Sequence, residues 1–279
     1  MKRHDQKYLV SLFLLVFFTV WGTMFLFSES SFQRLQHFTV QKPEFRRQSL
    51  SAPMQDYLAN TGDPGREAAL YWMATDFSAR EFPGPFSEET FQRLFSRWRT
   101  KAGWEPYVQM CRAIWNDVQY FPVARLLSED ADVSFTDSWM FERNYGGKRG
   151  HEGTDIMAEK NVPGYYPVVS MTDGVVTEKG WLEQGGWRIG ITAPSGAYFY
   201  YAHLDSYGSV KKGDSIQAGQ LLGYMGDSGY GKEEGTTGKF PVHLHLGIYL
   251  RDQTEEVSVN PYPVLSYIQN TRIKCADSR

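Results

Sequence analysis

The 279 residues suffice for one large or two modest domains, and 42% hydrophobic against 22% charged residues is the balance of a folded chain. A formal net charge of −3 excludes the strongly basic composition of a nucleic-acid binder. The two cysteines, Cys111 and Cys275, match no C-x-x-C metal or redox pattern; in an exported chain they would be free to form a disulfide, and otherwise they are two separate thiols.

The chain opens with Lys2, Arg3 and Lys7 and then runs without a charge from Tyr8 to Phe27. About twenty apolar residues match the hydrocarbon core of a bilayer, and basic residues ahead of them favour a cytoplasmic N-terminus. The expectation is a cytoplasmic tail at 1–7, a transmembrane helix at 8–27, and a single-pass protein of the cell membrane with the rest of the chain outside. A cleaved signal peptide is the alternative, but its apolar region is usually shorter and no A-x-A-like site follows. Residues 28–54 are polar, mixed in charge and without a clear period, which suggests a juxtamembrane stalk.

Residues 55–130 read as a small helical region. Arg66 to Phe77 follows the breakers Gly62, Asp63 and Pro64. Ser87 to Lys101 has a capping serine, Glu88 and Glu89 in its first turn, and an apolar stripe of Phe91, Leu94, Phe95 and Trp98. A third helix starts with Pro106 in its first turn, carries Val108, Cys111, Trp115 and Val118 on one face, and ends at Pro122. An aromatic stripe at helical spacing is usually core, so a spacer packed on the rest of the chain is the plainer reading, and a binding or regulatory module the sharper one.

From Asp132 the runs become short, alternating and broken by glycine: Pro167–Met171, Val175–Glu178, Trp187–Thr192 and Ala197–Ala202, with turn signals at Thr172-Asp173-Gly174 and Pro194-Ser195-Gly196. This is a mainly antiparallel β domain, 132–270, followed by a tail at 271–279. The stretch Lys211 to Gln220 resembles the turns of biotinyl and lipoyl carrier domains, but the hairpin those domains modify is missing. The glycine-rich stretch Gly223 to Lys239 precedes a further strand and is expected to wall a substrate groove.

Three short motifs in this domain hold four of the six histidines. GHEGTD carries His151 and Asp155, YYAHLD carries His203, and VHLHLGIY carries His243 and His245. On a strand, His243 and His245 face one way while Leu244 and Leu246 face the core. Gly146, Gly147, Gly150 and Gly153 argue against a helix around His151, leaving a loop that enters a strand. Histidine and aspartate suit Zn²⁺, and a catalytic zinc keeps three protein ligands. Three of the five residues would complete such a set, and the remaining two would handle protons or charge.

The order H-x-G-x-D, Y-A-H-L and H-x-H in a glycine-rich β context resembles the lysostaphin-type, or LytM-domain, zinc endopeptidases. The resemblance runs from near Ser138 to near Tyr267. It implies a LytM-type duplicated hybrid motif, β-sandwich-like, that hydrolyses peptide cross-links or stem peptides of bacterial peptidoglycan with Zn²⁺. It also implies His151, Asp155 and His245 as metal ligands and His203 and His243 as catalytic residues. Peptidoglycan peptides and cell-envelope proteins are the implied partners. The alternative is a non-hydrolytic LytM-like scaffold or activator of a cell-envelope complex, as in relatives that have lost ligands; here the motif set is complete.

Overall fold

The computed structural model describes residues 3–36, 38–77, 82, 84–127, 131–252 and 255–275. Helix α1 spans Arg3–Gln36. Among the described residues no helix is long and apolar enough to cross a membrane. The expected transmembrane helix at 8–27 is therefore corrected, together with the cytoplasmic tail and the single-pass placement in the cell membrane that depended on it. Ser11, Thr19, Gly22 and Thr23 lie within the apolar run, and polar, ionic sequence follows at Ser28–Ser31. The Thr19 hydroxyl donates to the Leu15 carbonyl at 2.6 Å and Thr23 to Thr19 at 2.9 Å.

Two short helices follow, α2 (Pro43–Arg46) and α3 (Ala52–Leu58). Val40, Phe45 and Met54, within the polar segment ahead of the longer helices, are buried. They enter an aromatic cluster in which Phe45 meets Phe38 at 5.0 Å and Trp72 at 6.1 Å, so tertiary contact rather than periodicity orders them. Then come α4 (Pro64–Thr75), α5 (Glu88–Trp98) and α6 (Trp104–Trp115). Asp63 caps α4 and Ser87 caps α5, each accepting from the backbone N–H three residues on. α4 crosses α6 at Gly65, where a Cβ would lie 2.5 Å from the Arg112 Cα. α6 ends well short of Pro122, because the chain turns back at Asn116, whose side chain accepts from Gly65 N at 2.7 Å.

The strands begin with β1 (Arg125–Leu126), β2 (Val133–Phe135), β3 (Glu142–Arg143), β4 (Arg149–Gly150), β5 (Thr154–Ala158), β6 (Pro167–Val169) and β7 (Gly174–Leu182). They continue with β8 (Gly186–Thr192), β9 (Tyr198–Tyr207), β10 (Ser215–Ile216), β11 (Leu221–Met225), β12 (His243–Asp252) and β13 (Glu255–Val259), then helix α7 (Tyr262–Ile268) and β14 (Lys274–Cys275). Ten of them form one sheet whose main path runs β10-β7-β8-β9-β12-β5-β2. Rather than two separate layers, β6 and β11 leave this path where β9 hands its C-terminal end to β11. Within the expected tail, β14 lies parallel to β1. Cys111 is buried on α6 and Cys275 sits on β14, both as free thiols.

Strand β12 organises the sheet. Leu244, Leu246 and Ile248 are fully buried on its core face, and its other face looks into a groove of about 910 Å³. Helix α2 docks on its neighbour β13: Asn260 N–H donates to the Arg46 carbonyl at 2.7 Å, and the Arg46 guanidinium donates to the Ser258 carbonyl at 2.8 Å. The Trp115 and Tyr267 rings, 5.7 Å apart, join α6 to α7.

Candidate metal centre

Register brings the motifs together. On β12, His243 lies opposite Met157 and His245 opposite Asp155 of β5, and on the other side His245 lies opposite Ala202 of β9, next to His203. His151 arrives from the β3–β4 hairpin just ahead of β5. Space for this convergence depends on Gly153, where a Cβ would press to 2.6 Å from His245 Nε2 and 2.6 Å from the Leu246 carbonyl.

His151, Asp155 and His245 each offer one ligand atom to a common point. His151 Nε2 is 3.0 Å from His245 Nδ1 and 3.0 Å from Asp155 Oδ1, and His245 Nδ1 is 3.1 Å from the same oxygen. Tetrahedral zinc with bonds of about 2.0–2.1 Å holds its ligands roughly 3.3 Å apart. The triangle fits that metal with adjustments of a few tenths of an ångström, and two imidazoles with one carboxylate are a donor set zinc accepts.

The surroundings fix these groups. His151 Nδ1 lies 3.1 Å from the Ser138 carbonyl, the Ser138 hydroxyl and Arg143 Nη2 alike, which fixes the ring with Nε2 turned to the other two groups. Arg143 Nη2 donates to Asp155 Oδ2 at 2.6 Å, occupying the oxygen that faces away from the histidines. Burial alone would raise the Asp155 carboxyl, but hydrogen bonds from His151 and His245 and the nearby imidazoles pull it far below the usual carboxylate range. Burial pushes His245 down, against the pull of Asp155.

His203 and His243 stand beside this triangle with ring centroids 4.7 Å apart. Each commits Nδ1 to a backbone carbonyl at 2.7 Å, His203 to Ser228 and His243 to Pro241, which leaves both Nε2 atoms as proton acceptors. His243 Nε2 is 3.8 Å from Asp155 Oδ1. Burial, joined by the neighbouring His243 and His245, holds His203 well below the ordinary imidazole value; burial also lowers His243, against Asp155. His203 adopts φ +61°, a left-handed backbone that a non-glycine residue reaches only at a cost, held by its N–H to the Gly185 carbonyl at 2.8 Å.

The groove also shows residues that motif spacing did not single out. Tyr198, Tyr200 and Tyr249 line it, with Tyr200 and His245 ring centroids 5.9 Å apart. Tyr145 stacks on Tyr230 at 4.3 Å, bridging the β3–β4 hairpin to the loop after β11, and Phe240 packs on His203 at 4.6 Å. Arg143, Arg149 and Arg188 line the groove too. Only the hairpin register and the strand alternation, which require the fold, would have found them.

Two family profiles match the chain: "LytM, N-terminal domain" over residues 30–117 and "Peptidase family M23" over residues 149–261. A crystal structure from Ruminococcus gnavus ATCC 29149, whose protein carries the provisional name glycyl-glycine endopeptidase lytM, is 70% identical. It superposes with a TM-score of 0.84 over 89% of this chain and 99% of that one. The L-Ala–D-Glu endopeptidase of Bacillus subtilis (strain 168) is 46% identical over 135 residues, 48% of this chain and 40% of that protein. The glycyl-glycine endopeptidase ALE-1 of Staphylococcus capitis is 29% identical over 149 residues, 49% of this chain and 38% of its own length. The chain thus spans well under half the length of these two curated relatives.

Proposed function

The chain belongs to peptidase family M23, and from that premise we propose that it is a zinc-dependent endopeptidase acting on peptides of bacterial peptidoglycan. One observation carries the reading: three ligand atoms 3.0–3.1 Å apart beside two imidazoles that each turn Nδ1 to a backbone carbonyl, all in one groove. His151, Asp155 and His245 are the proposed ligands. Zinc there would polarise a carbonyl and lower the pKa of water towards about 7.

The chain's own groups do the rest. His243 Nε2 accepts the proton of the attacking water and later passes it to the leaving amine. His203 Nε2 accepts a hydrogen bond from that water and orients it for attack. Their near-equivalent positions allow these roles to be exchanged. Arg143 holds Asp155 in place by donating to its Oδ2.

The scaffold alternative is not favoured, since no ligand is missing. The test separates ligands from proton carriers. His203→Ala and His243→Ala should keep one zinc per chain and lose about 10²–10⁴-fold in peptide hydrolysis. Asp155→Ala and His245→Ala should lose the zinc itself. Stoichiometric zinc in both of the latter would overturn the ligand assignment, and undiminished hydrolysis by His243→Ala would overturn its role.

A further inference from the structure

Arg143 and Arg149 lie directly opposite each other across the β3–β4 hairpin, and both line the groove. Like charges at such a position repel. Arg143 is compensated by Asp155 at 2.6 Å. The Arg149 side chain, partly buried, has no hydrogen-bond or ion-pair partner among the described residues, and its Nε is buried without one. A second guanidinium, Arg188 on β8, is nearly as ill-matched. Its Nε and Nη1 are buried without partners, and Nη2 reaches only Glu178 at 3.5 Å, a carboxylate already shared with Lys212 at 3.1 Å. Arg149, Arg188 and Tyr200 line one groove, and the Tyr200 ring is 5.9 Å from that of His245.

Two under-compensated guanidiniums in the lining of the groove that also holds the proposed metal ligands make a site for an anion. Burying an unpaired charge is costly, and the cost is recovered when a carboxylate docks in charge-assisted contact with the fork of an arginine. We propose that Arg149, supported by Arg188, is a specificity-determining anion subsite that binds a carboxylate of the substrate peptide close to the scissile bond. The inference rests on the peptidase reading of the groove and narrows it: the substrate is an acidic peptide rather than a neutral glycine bridge. From β12 to β8 is two strand spacings, about 10 Å, so the carboxylate belongs within roughly three residues of the bond that is cut.

Two peptides test this: acetyl-L-Ala–D-Glu–L-Lys amide and its D-Gln counterpart, which differ by one carboxylate. The zinc-loaded protein should favour the acid by about 10- to 100-fold in kcat/KM, and the preference should shrink as salt is raised. Arg149→Gln should remove the preference mainly through KM, with zinc content and melting temperature unchanged; Arg149→Lys should keep part of it, and Arg188→Gln should weaken it. Full retention of the preference in Arg149→Gln, or equal cleavage of acid and amide by the parent protein, would overturn the subsite. If the parent protein cleaves neither these peptides nor peptidoglycan, the hydrolase reading fails by itself. The subsite is then decided by calorimetric titration of the same two peptides, where tighter binding of the acid supports it and equal binding overturns it.

Discussion

At the scale of single residues, the centre depends on groups that never touch a metal. Gly153 has no φ requirement of its own; what it supplies is the absence of a Cβ against the His245 ring and the Leu246 carbonyl. Gly153→Ala is therefore expected to displace His245 and weaken zinc binding, measured by competition with a chromogenic chelator, even though alanine suits a strand entrance no worse. Arg143 makes a different contribution, holding Asp155 Oδ2 at 2.6 Å. Loss of such an outer partner typically costs about 10- to 100-fold in metal affinity, so Arg143→Gln should fall in that range by the same chelator assay. Unchanged affinity would show that Asp155 is held by the histidines alone. The five residues read from H-x-G-x-D, Y-A-H-L and H-x-H meet in one groove because period-two alternation on β12 and the Gly153 gap are local properties of sequence. The arginines were not legible in this way. Arg149 acquires meaning only from its pairing with Arg143, and register across a hairpin is set by turn geometry and packing rather than by residue type.

At the scale of elements, α4 carries two carboxylates pushed in opposite directions. Asp63, at its N-cap, is raised by burial but lowered more strongly by hydrogen bonds from Arg112 and Asn116, for a net decrease. A carboxylate with a depressed folded value contributes stability above its unfolded pKa near 4 and loses it as pH falls further. Glu67, one turn on, is raised by burial, against its 2.5 Å pairing with Arg66, and its Oε2 has no partner. Here the sign reverses: the unfolded chain ionises first, so stability falls as pH rises through and above about 4.5. Glu67→Gln should accordingly raise the melting temperature at pH 8 and leave it nearly unchanged at pH 4, whereas Asp63→Asn should lower it at pH 8. Gly65→Ala, forced against the Arg112 backbone, is expected to cost about 1–3 kcal/mol by denaturant unfolding. The helical stripe of Phe91 and Trp98 was legible because it is amphipathic. The burial of Phe45 and Val40 was not, since it depends on aromatic neighbours distant in sequence.

At the scale of the whole molecule, the helices and the sheet share one hydrophobic core. Trp115 reaches Tyr267, and α2 ties itself to β13 and, through Arg46, to Glu152 on the rim of the groove at 3.4 Å. The β architecture was visible in the alternation and glycine punctuation after Asp132. The apolar run Tyr8–Phe27 has the length of a membrane span, yet among the described residues no helix is long and apolar enough to cross one. What unites the molecule is the claim that a ligand triangle and two proton-accepting imidazoles make the groove a zinc-dependent peptidase. The most direct measurement is mass spectrometry of peptidoglycan fragments after digestion by metal-stripped protein and by the same protein given one equivalent of zinc. The account predicts new peptide amino termini only with zinc. Equal cleavage without the metal, or none from peptidoglycans of several cross-link types with zinc bound, would contradict it.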